Sequence, residues 1–223
     1  MHWPWQLRRA QVMRRGRLRR ELALAPLVAR VFQIELFRGV MGADHISTMT
    51  HPRLNLVDGT LALLSAAVRD KSALGELLGV SIADEWEGFP EALPVLCASY
   101  RTKPEGDRWG SLFFIEPEMR MLVGFGGFKG APSSDAVVEI GYAIAPAFRG
   151  NGLATDAVAQ MVQRAFIDTS VRAVDAHTLG HANPSTRVLE KSGFQKIAEF
   201  DDPNDGLIWQ WRRERADLTA KAD

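Results

Sequence analysis

Residues 139–166 read EIGYAIAPAFRGNGLATDAVAQMVQRAF, and this pattern predicts a strand, a tight turn and a helix. Residues 139–145 are apolar and rich in strand formers, and Pro146 ends them. Apolar side chains then recur at helical spacing: Leu153, Ala157, Val158, Met161, Val162, Ala165 and Phe166. A glycine-containing turn that leads straight into a helix leaves several backbone N–H groups unpaired and directed at one point. This stretch therefore predicts an anion site, and a pyrophosphate fits it.

The composition predicts one globular domain of ordinary size. The 223 residues are 46% hydrophobic and 24% charged, which is enough to bury a substantial core. The single cysteine, Cys97, excludes an intramolecular disulfide and a cysteine-rich metal site, so no metal is expected. It fits a reducing, cytoplasmic setting. No apolar run reaches the roughly 18 residues of a membrane span.

Opposite charges are separated along the chain. Residues 1–48 hold nine arginines and three acidic residues, a net charge of +6, whereas residues 49–223 have a net charge of −6. The second part is therefore mildly acidic, which fits a cationic amine substrate better than it fits nucleic acid.

The basic extension, residues 1–48, has three interpretations. It could be an amphipathic helix on a membrane surface. It could be a targeting segment, although its charged region is long for a signal peptide and serine is missing for a transit peptide. We favour the third, a non-conserved or misassigned extension that is disordered, because Met49 recurs just before THPRLNLVDGTLALL, where ordered-looking sequence starts.

After the extension, periodicity and turn residues predict strands and helices in the order β-α-α-α-β-β-β-α-β-α-β-β. Strands are expected at 54–57, 109–115, 120–129, 137–145, 171–178, 194–200 and 207–211, and helices at 61–68, 71–78, 92–100, 153–166 and 185–192. Residues 81–89 read as a loop. Thr60 is a candidate N-cap, Pro90 a candidate first helical residue, and Gly79 and Gly193 candidate helix stops.

Four glycines between 124 and 130 superficially suggest a dinucleotide-binding loop. They lie inside a predicted strand, and Ala131-Pro132-Ser133-Ser134 follows them where that motif would need a helix. Glycine inside a strand more often marks a bulge or the close approach of another group, so we reject the dinucleotide interpretation.

Two blocks of this sequence resemble the GNAT N-acetyltransferases. Arg149, Gly152 and Ala154 match the Arg/Gln-x-x-Gly-x-Gly/Ala pattern of that family's acyl-CoA pyrophosphate loop. About thirty residues later, NPSTRVLEKSGF at 183–194 resembles the helix and strand start that close the same fold. The resemblance covers roughly 52–212 and implies a mixed α/β (α+β) domain. Its central, mostly antiparallel sheet would be splayed at the cofactor site and flanked by helices, with residues 213–223 left as a charged tail.

The resemblance implies acetyl-CoA as the acyl donor. The pantetheine arm would pair with the strand backbone of Tyr142, Ala143, Ile144 and Ala145, and Asn183 would also contact it. The pyrophosphate would lie on backbone N–H groups of the turn, in which Gly150 and Gly152 avoid a Cβ clash: Arg149, Gly150, Asn151, Gly152, Leu153 and Ala154. The alternative for these two glycines is an ordinary strand-to-helix turn.

Acetyl transfer to an amine needs a base, because ammonium is not a nucleophile. Glu139 is the first candidate, since it lies on the central strand near the expected splay. The alternative is a structural carboxylate that pairs with a neighbouring strand. His177 is a second candidate base, although a lone histidine at a strand end is more often structural.

The candidate acid for the departing thiolate differs from the commonest family pattern. Many GNAT enzymes carry a tyrosine in the helix at the position of Leu189. Leu189 with Glu190-Lys191 and Ser185 resembles instead the branch that acetylates the N-terminal amines of ribosomal proteins, in which a serine is proposed to serve the thiol. Ser185 could equally be only an N-cap.

The leading hypothesis is an acetyl-CoA-dependent N-acetyltransferase of this Rim-like branch, with a protein N-terminus or a small-molecule amine as acceptor. The alternatives are a non-catalytic acyl-CoA-binding or sensing domain, and an adaptor whose basic arm binds nucleic acid or membrane. Trp86 and Phe89 would lie near the acceptor or, as we favour, pack as core or lid residues. The sequence does not name the acceptor, and a homodimer is one quaternary structure that it leaves open.

Overall fold

A computed structural model describes residues 52–102, 104 and 107–215. The predicted basic extension and residues 216–223 lie outside the described residues. The strands are β1 Asn55–Asp58, β2 Ser81–Ile82, β3 Ser111–Glu116, β4 Met121–Phe128, β5 Val137–Ile144, β6 Ala173–Leu179, β7 Gln195–Asp202 and β8 Gly206–Glu214. The helices are α1 Leu61–Arg69, α2 Lys71–Leu78, α3 Ala92–Tyr100, α4 Leu153–Phe166 and α5 Pro184–Lys191, with a short 3₁₀ turn at Pro146–Phe148.

These strands form one sheet in the order β1-β3-β4-β5-β6-β8-β7, with β2 beside β4. Neighbouring strands are antiparallel except for β5 with β6 and β2 with β4. The predicted fold class, a mostly antiparallel sheet flanked by helices, is therefore confirmed. The loop predicted at 81–89 is wrong at its start, where Ser81 and Ile82 form β2.

Helices cover both faces of the sheet. The apolar stripe of α4 packs with Leu189 of α5 on one face, against β5 and β6. On the opposite face, α1, α2 and α3 pack with Trp86 against Phe113 of β3 and Phe125 of β4. Burial of these two apolar layers is the main force that holds the helices on the sheet.

Helix ends follow the predicted caps in part. Thr60 caps α1 by accepting a hydrogen bond from the Leu63 amide at 3.2 Å, and Gly79 ends α2 in the left-handed conformation. Pro90, in contrast, precedes the helix, because residues 89–91 form a turn and α3 begins at Ala92. No helix in the described part of the chain is long and apolar enough to cross a membrane.

The charged tail predicted from residue 213 is wrong at its start, because β8 continues to Glu214. Arg213 donates to the Ser192 carbonyl at 2.6 Å. Arg215 donates to the carbonyls of Phe166 and Val171, each at 2.8 Å. The last of these arginines thereby satisfies a carbonyl at the end of α4 that has no partner within the helix, which explains why a charged segment is ordered.

The glycines of β4 mark the close approach that the sequence predicts. A Cβ atom on Gly126 would lie 2.7 Å from Cζ of Phe114, and one on Gly124 would lie 2.9 Å from Cδ2 of the same ring. The Phe114 ring therefore lies flat on the strand where side chains would otherwise stand.

We expect Gly126→Ala to lower the free energy of unfolding by about 1–3 kcal/mol, because the new methyl group overlaps buried atoms that cannot move aside. Urea unfolding of both proteins measures this. Gly206→Ala is the matched control, since a Cβ there meets no atom within 4 Å and only its φ of 71° is unfavourable. A larger loss at Gly206 than at Gly126 would contradict the steric explanation.

Candidate active site

The site begins where β5 and β6 separate. The two strands pair only at Val137–Glu139 with Ala173–Asp175. Beyond this point the odd-numbered residues of β5 pair with β4, as shown by the bond from the Ala145 amide to the Val123 carbonyl at 2.8 Å. Because backbone groups alternate along a strand, the N–H and C=O groups of Tyr142 point toward the gap. The gap therefore offers a strand edge to which an extended ligand can bind.

The four residues predicted to contact the pantetheine arm differ in the direction of their backbone N–H and C=O groups. Tyr142 and Ile144 direct their backbone groups to the gap, whereas Ala143 and Ala145 direct theirs to β4. The Ile144 carbonyl already accepts a hydrogen bond from Nε of Arg149 at 2.9 Å. Tyr142 is thus the predicted residue with the most accessible backbone.

The turn after β5 has the geometry of an anion site. Gly150 and Gly152 have φ values of 80° and 78°, which side-chain-bearing residues adopt at a cost. Helix α4 has no side-chain cap, and its first internal bond runs from the Asp156 amide to the Gly152 carbonyl at 3.1 Å. Within the described residues, no group accepts a hydrogen bond from five consecutive amides: Gly150, Asn151, Gly152, Leu153 and Ala154. The Arg149 amide, also predicted, donates instead to the Pro146 carbonyl.

One residue at this turn was missed by the sequence analysis. The Arg53 guanidinium donates through Nη1 to the Asn151 carbonyl, although 98 positions separate the two residues. The next residue, Leu54, is held on α4: its amide donates to Oδ2 of Asp156 at 3.1 Å, and its carbonyl accepts from Gln160 at 2.9 Å. No local pattern marks Arg53, because its position depends on how the segment before β1 packs on α4.

Glu139 lies at the branch point of the two strands, in a cluster of charged groups. Its Oε1 accepts from Lys129 Nζ and lies 2.5 Å from Nδ1 of His177. Burial alone would raise the pKa of Glu139, but the hydrogen bond from His177 and the charge of Lys129 together lower it below its usual value. Burial also disfavours the charged form of Lys129 and so lowers its pKa, although the negative charge of Glu139 opposes this shift. The carboxylate is therefore ionised at neutral pH.

This cluster combines both interpretations of Glu139. The carboxylate pairs with a neighbouring strand, as the structural alternative required, and it lies at the splay, as the catalytic one required. The second candidate, His177, lies two residues beyond Asp175, the last residue of β6 that pairs with β5. Its ring contacts the Phe200 ring, with 5.7 Å between the centroids. Lys129 was not singled out from the sequence, because a lysine at a strand end carries no distinguishing signal.

The start of α5 corrects one prediction. Ser185 is not the N-cap; Asn183 is, with its Oδ1 accepting from the amides of Ser185 at 2.9 Å and Thr186 at 3.1 Å. The helix begins at Pro184, a residue well suited to the first helical position. The side-chain Nδ2 of Asn183 donates to the His181 carbonyl at 2.9 Å, so both polar atoms of this side chain are already hydrogen-bonded. Its contact with the cofactor stays a prediction.

Tyr142 connects β5 to α5. Its hydroxyl donates to the Ser185 carbonyl at 3.4 Å, and burial raises its pKa above the usual value. The chain has two tyrosines, and the hydroxyl of the other, Tyr100, accepts from the Ser111 amide. Leu189, where many related enzymes carry a tyrosine, is fully buried in the core. A tyrosine hydroxyl therefore does reach this helix, from the strand.

The segment before α3 borders the site on the opposite face of the sheet. A Cβ on Gly88 would overlap the Cβ of Ala143, so this segment lies directly on β5. Trp86 is only 2% exposed and stacks on Phe113 with centroids 5.6 Å apart, which confirms the core interpretation for this residue. Phe89 is 41% exposed. Residues 52–102, 104 and 107–215 hold no group of three or more His, Cys, Asp or Glu side chains arranged for a metal ion.

Comparisons with known proteins find a matching family and related sequences. A family model described as an acetyltransferase (GNAT) domain matches residues 79–195, which include the turn and all of α5. An uncharacterized N-acetyltransferase, YjdG of Bacillus subtilis (strain 168), is 30% identical over 155 residues, covering 66% of this chain and 91% of that protein.

Two solved structures share the fold. Mycobacterium smegmatis RimJ in complex with CoA-disulfide superposes with a TM-score of 0.55 at 18% identity, covering 74% of this chain and 84% of that one. The ribosomal-protein-S5-alanine acetyltransferase of Vibrio fischeri gives a TM-score of 0.53 at 14% identity, covering 74% and 93%.

The cluster at the branch point makes stability depend on pH. A carboxyl whose pKa is lower in the folded than in the unfolded chain stabilises the fold at every pH above its unfolded-state pKa. This stabilisation is lost as the pH falls through its folded-state pKa. We therefore expect the stability advantage of the wild-type protein over Glu139→Gln to shrink as the pH falls from about 5 to about 3. Urea unfolding at several pH values measures it; a constant difference would contradict the lowered pKa.

Proposed function

Because the chain belongs to the GNAT acetyltransferase family, we propose that it transfers the acetyl group of acetyl-CoA to a primary amine by direct attack on the thioester. The acceptor would be a protein N-terminus or a small molecule. One observation carries the proposal: the open edge of β5 leads directly into the uncapped N-terminus of α4. A strand edge suits the amides of a pantetheine arm, and a helix N-terminus suits the pyrophosphate that follows it.

Donor binding would divide between these two parts. The backbone of Tyr142 pairs with the pantetheine arm in the gap, and the five unpaired amides of residues 150–154 bind the pyrophosphate. The 14-residue helix adds its dipole, which favours an anion at this end. The Arg149 guanidinium lies at the rim, held by its bond to the Ile144 carbonyl.

Glu139 is the proposed base. Both of its contacts in the cluster use Oε1, so Oε2 can accept the proton of the amine, directly or through one water. A carboxylate of lowered pKa is a weak base toward a free ammonium, but the amine becomes far more acidic as the new C–N bond forms. Lys129 and His177 hold the carboxylate in place, and the proton then leaves from Oε2 to solvent.

Two further groups would complete the reaction. The Tyr142 N–H, directed into the gap, can polarise the thioester carbonyl. As the C–N bond forms and the C–S bond breaks, the thiolate takes a proton from a hydroxyl at the start of α5, and solvent restores that proton. Ser185 is the proposed donor, with the Tyr142 hydroxyl, bonded to the carbonyl of the same residue, beside it.

A non-catalytic acyl-CoA sensor is the second candidate. The observation that favours it is the saturation of Glu139 Oε1 by Lys129 and His177, together with the missing helix tyrosine at Leu189. Donor binding would be the same in both cases, so only turnover separates them.

We expect Glu139→Gln to leave the dissociation constant of CoA unchanged and to lower kcat by about 10²–10⁴, the range of a lost general base. Calorimetry with CoA and thiol release from acetyl-CoA over a panel of peptides and small amines measure the two effects. Glu118→Gln, an exposed position in the turn between β3 and β4, is the control. Tight CoA binding without turnover of any amine by the wild-type protein would favour the sensor.

For the proton donor, we expect Ser185→Ala to lower kcat by about tenfold with unchanged CoA affinity, since a thiolate leaves fairly well unaided. Tyr142→Phe removes the neighbouring hydroxyl and keeps the ring in the core. If Tyr142→Phe gives the loss of kcat and Ser185→Ala does not, Ser185 is not the donor.

A further inference from the structure

The turn before α4 is flanked by guanidinium groups from two distant parts of the chain. Arg149 belongs to the turn itself and is tied to the end of β5 through the Ile144 carbonyl. Arg53 comes from the segment before β1 and is tied to the middle of the turn through the Asn151 carbonyl. Its Nη1 lies 3.2 Å from where a Cβ on Gly152 would stand, at the first turn of α4.

The position of Arg53 is set by its neighbours. Leu54 is fully buried, and both of its backbone groups are bound by α4, through Asp156 and Gln160. Gln160 also donates to Oδ2 of Asp156 at 2.8 Å, so the one carboxylate in the first turn of the helix is already hydrogen-bonded. The backbone at Arg53 is thereby fixed at the helix N-terminus, while its side chain is exposed to solvent.

The charge at this position has no acidic partner among the described residues. Its contact is with a backbone carbonyl, which uses one of the five N–H donors of a guanidinium. A guanidinium binds phosphate oxygens through two parallel N–H groups, and the unpaired amides of residues 150–154 lie beside it. Arg53 and the helix N-terminus therefore present donors to the same region.

We propose that Arg53 is a pyrophosphate-binding residue of the acyl-CoA site. It reaches the turn from the segment before β1 and flanks the bound pyrophosphate on the side of α4. The inference rests on the proposed function for the identity of the ligand, but it concerns binding alone. The phosphate chemistry could also be that of the 3′-phosphate of CoA, and a ligand without that group distinguishes the two.

The experiment compares wild-type protein with Arg53→Ala and Arg53→Lys, using tryptophan fluorescence titrations with CoA, 3′-dephospho-CoA and pantetheine. Loss of one charge-assisted contact with a phosphate should weaken CoA and 3′-dephospho-CoA by about tenfold in Arg53→Ala and leave pantetheine unchanged. Arg53→Lys should lose less, because it keeps the charge but not the planar fork. The CoA affinity of the wild-type protein should also fall more steeply with salt than that of Arg53→Ala.

Arg69→Ala is the matched control, since Arg69 is exposed on α1 and, within the described part of the chain, donates only to the Ser65 carbonyl of its own helix. Equal losses for CoA and pantetheine would overturn the proposal, because the effect of Arg53 would then not depend on the phosphates. A loss of affinity for CoA alone would place Arg53 on the 3′-phosphate and overturn the pyrophosphate assignment. Unchanged affinity for all three ligands would also overturn it. None of these outcomes depends on amine acetylation, so a failure of the proposed enzyme activity is recognised separately.

Discussion

The divergence of β5 from β6 after Glu139 is the constraint on which the site depends. Each strand keeps its other partner, β4 or β8, so the sheet remains continuous at its branch point and opens beyond it. Tyr142 crosses toward α5 on one face, and the segment with Gly88 lies on β5 from the other. Packing on both faces thus fixes β5 beside the gap, at the cost of backbone groups on β5 that have no strand partner.

The branch point also concentrates charge. A half-buried carboxylate is costly unless it is paired, and Lys129 and His177 supply the compensation from the two neighbouring strands. Removal of either partner would leave charge in a poorly solvated place. The same three groups therefore contribute to the stability of the branch and to the chemistry proposed there. The proposed anion site at the turn before α4 uses the opposite means: unpaired amides, a helix dipole and two flanking arginines.

The two ends of the gap have different physical character, and in the proposed function this difference separates the donor from the acceptor. The donor end is built from backbone groups, so it depends on the glycine conformations at 150 and 152 more than on side chains. The proposed acceptor end would be formed by side chains, among them Glu139, His177 and the Phe200 ring of β7. Side-chain surfaces vary freely on a constant backbone, which is why a common fold can serve different amines.

Local sequence predicted most of the fold and the glycine turn before α4. Periodicity and backbone sterics within a few residues are enough to predict helix α4, its glycine turn and the two caps at Thr60 and Gly79. These features do not depend on contacts between distant residues. The error at Ser185 has the same local origin: Asn183 and Ser185 can both cap a helix, and the tolerance of Pro184 at the first position selects Asn183. Strand β2, only two residues long, forms because β4 is beside it. The pairing of Glu139 with Lys129 and His177, the reach of Tyr142 to α5 and the place of Arg53 required the tertiary structure. They depend on which strands become neighbours and on how distant segments pack, and burial of the apolar faces over the whole domain decides both.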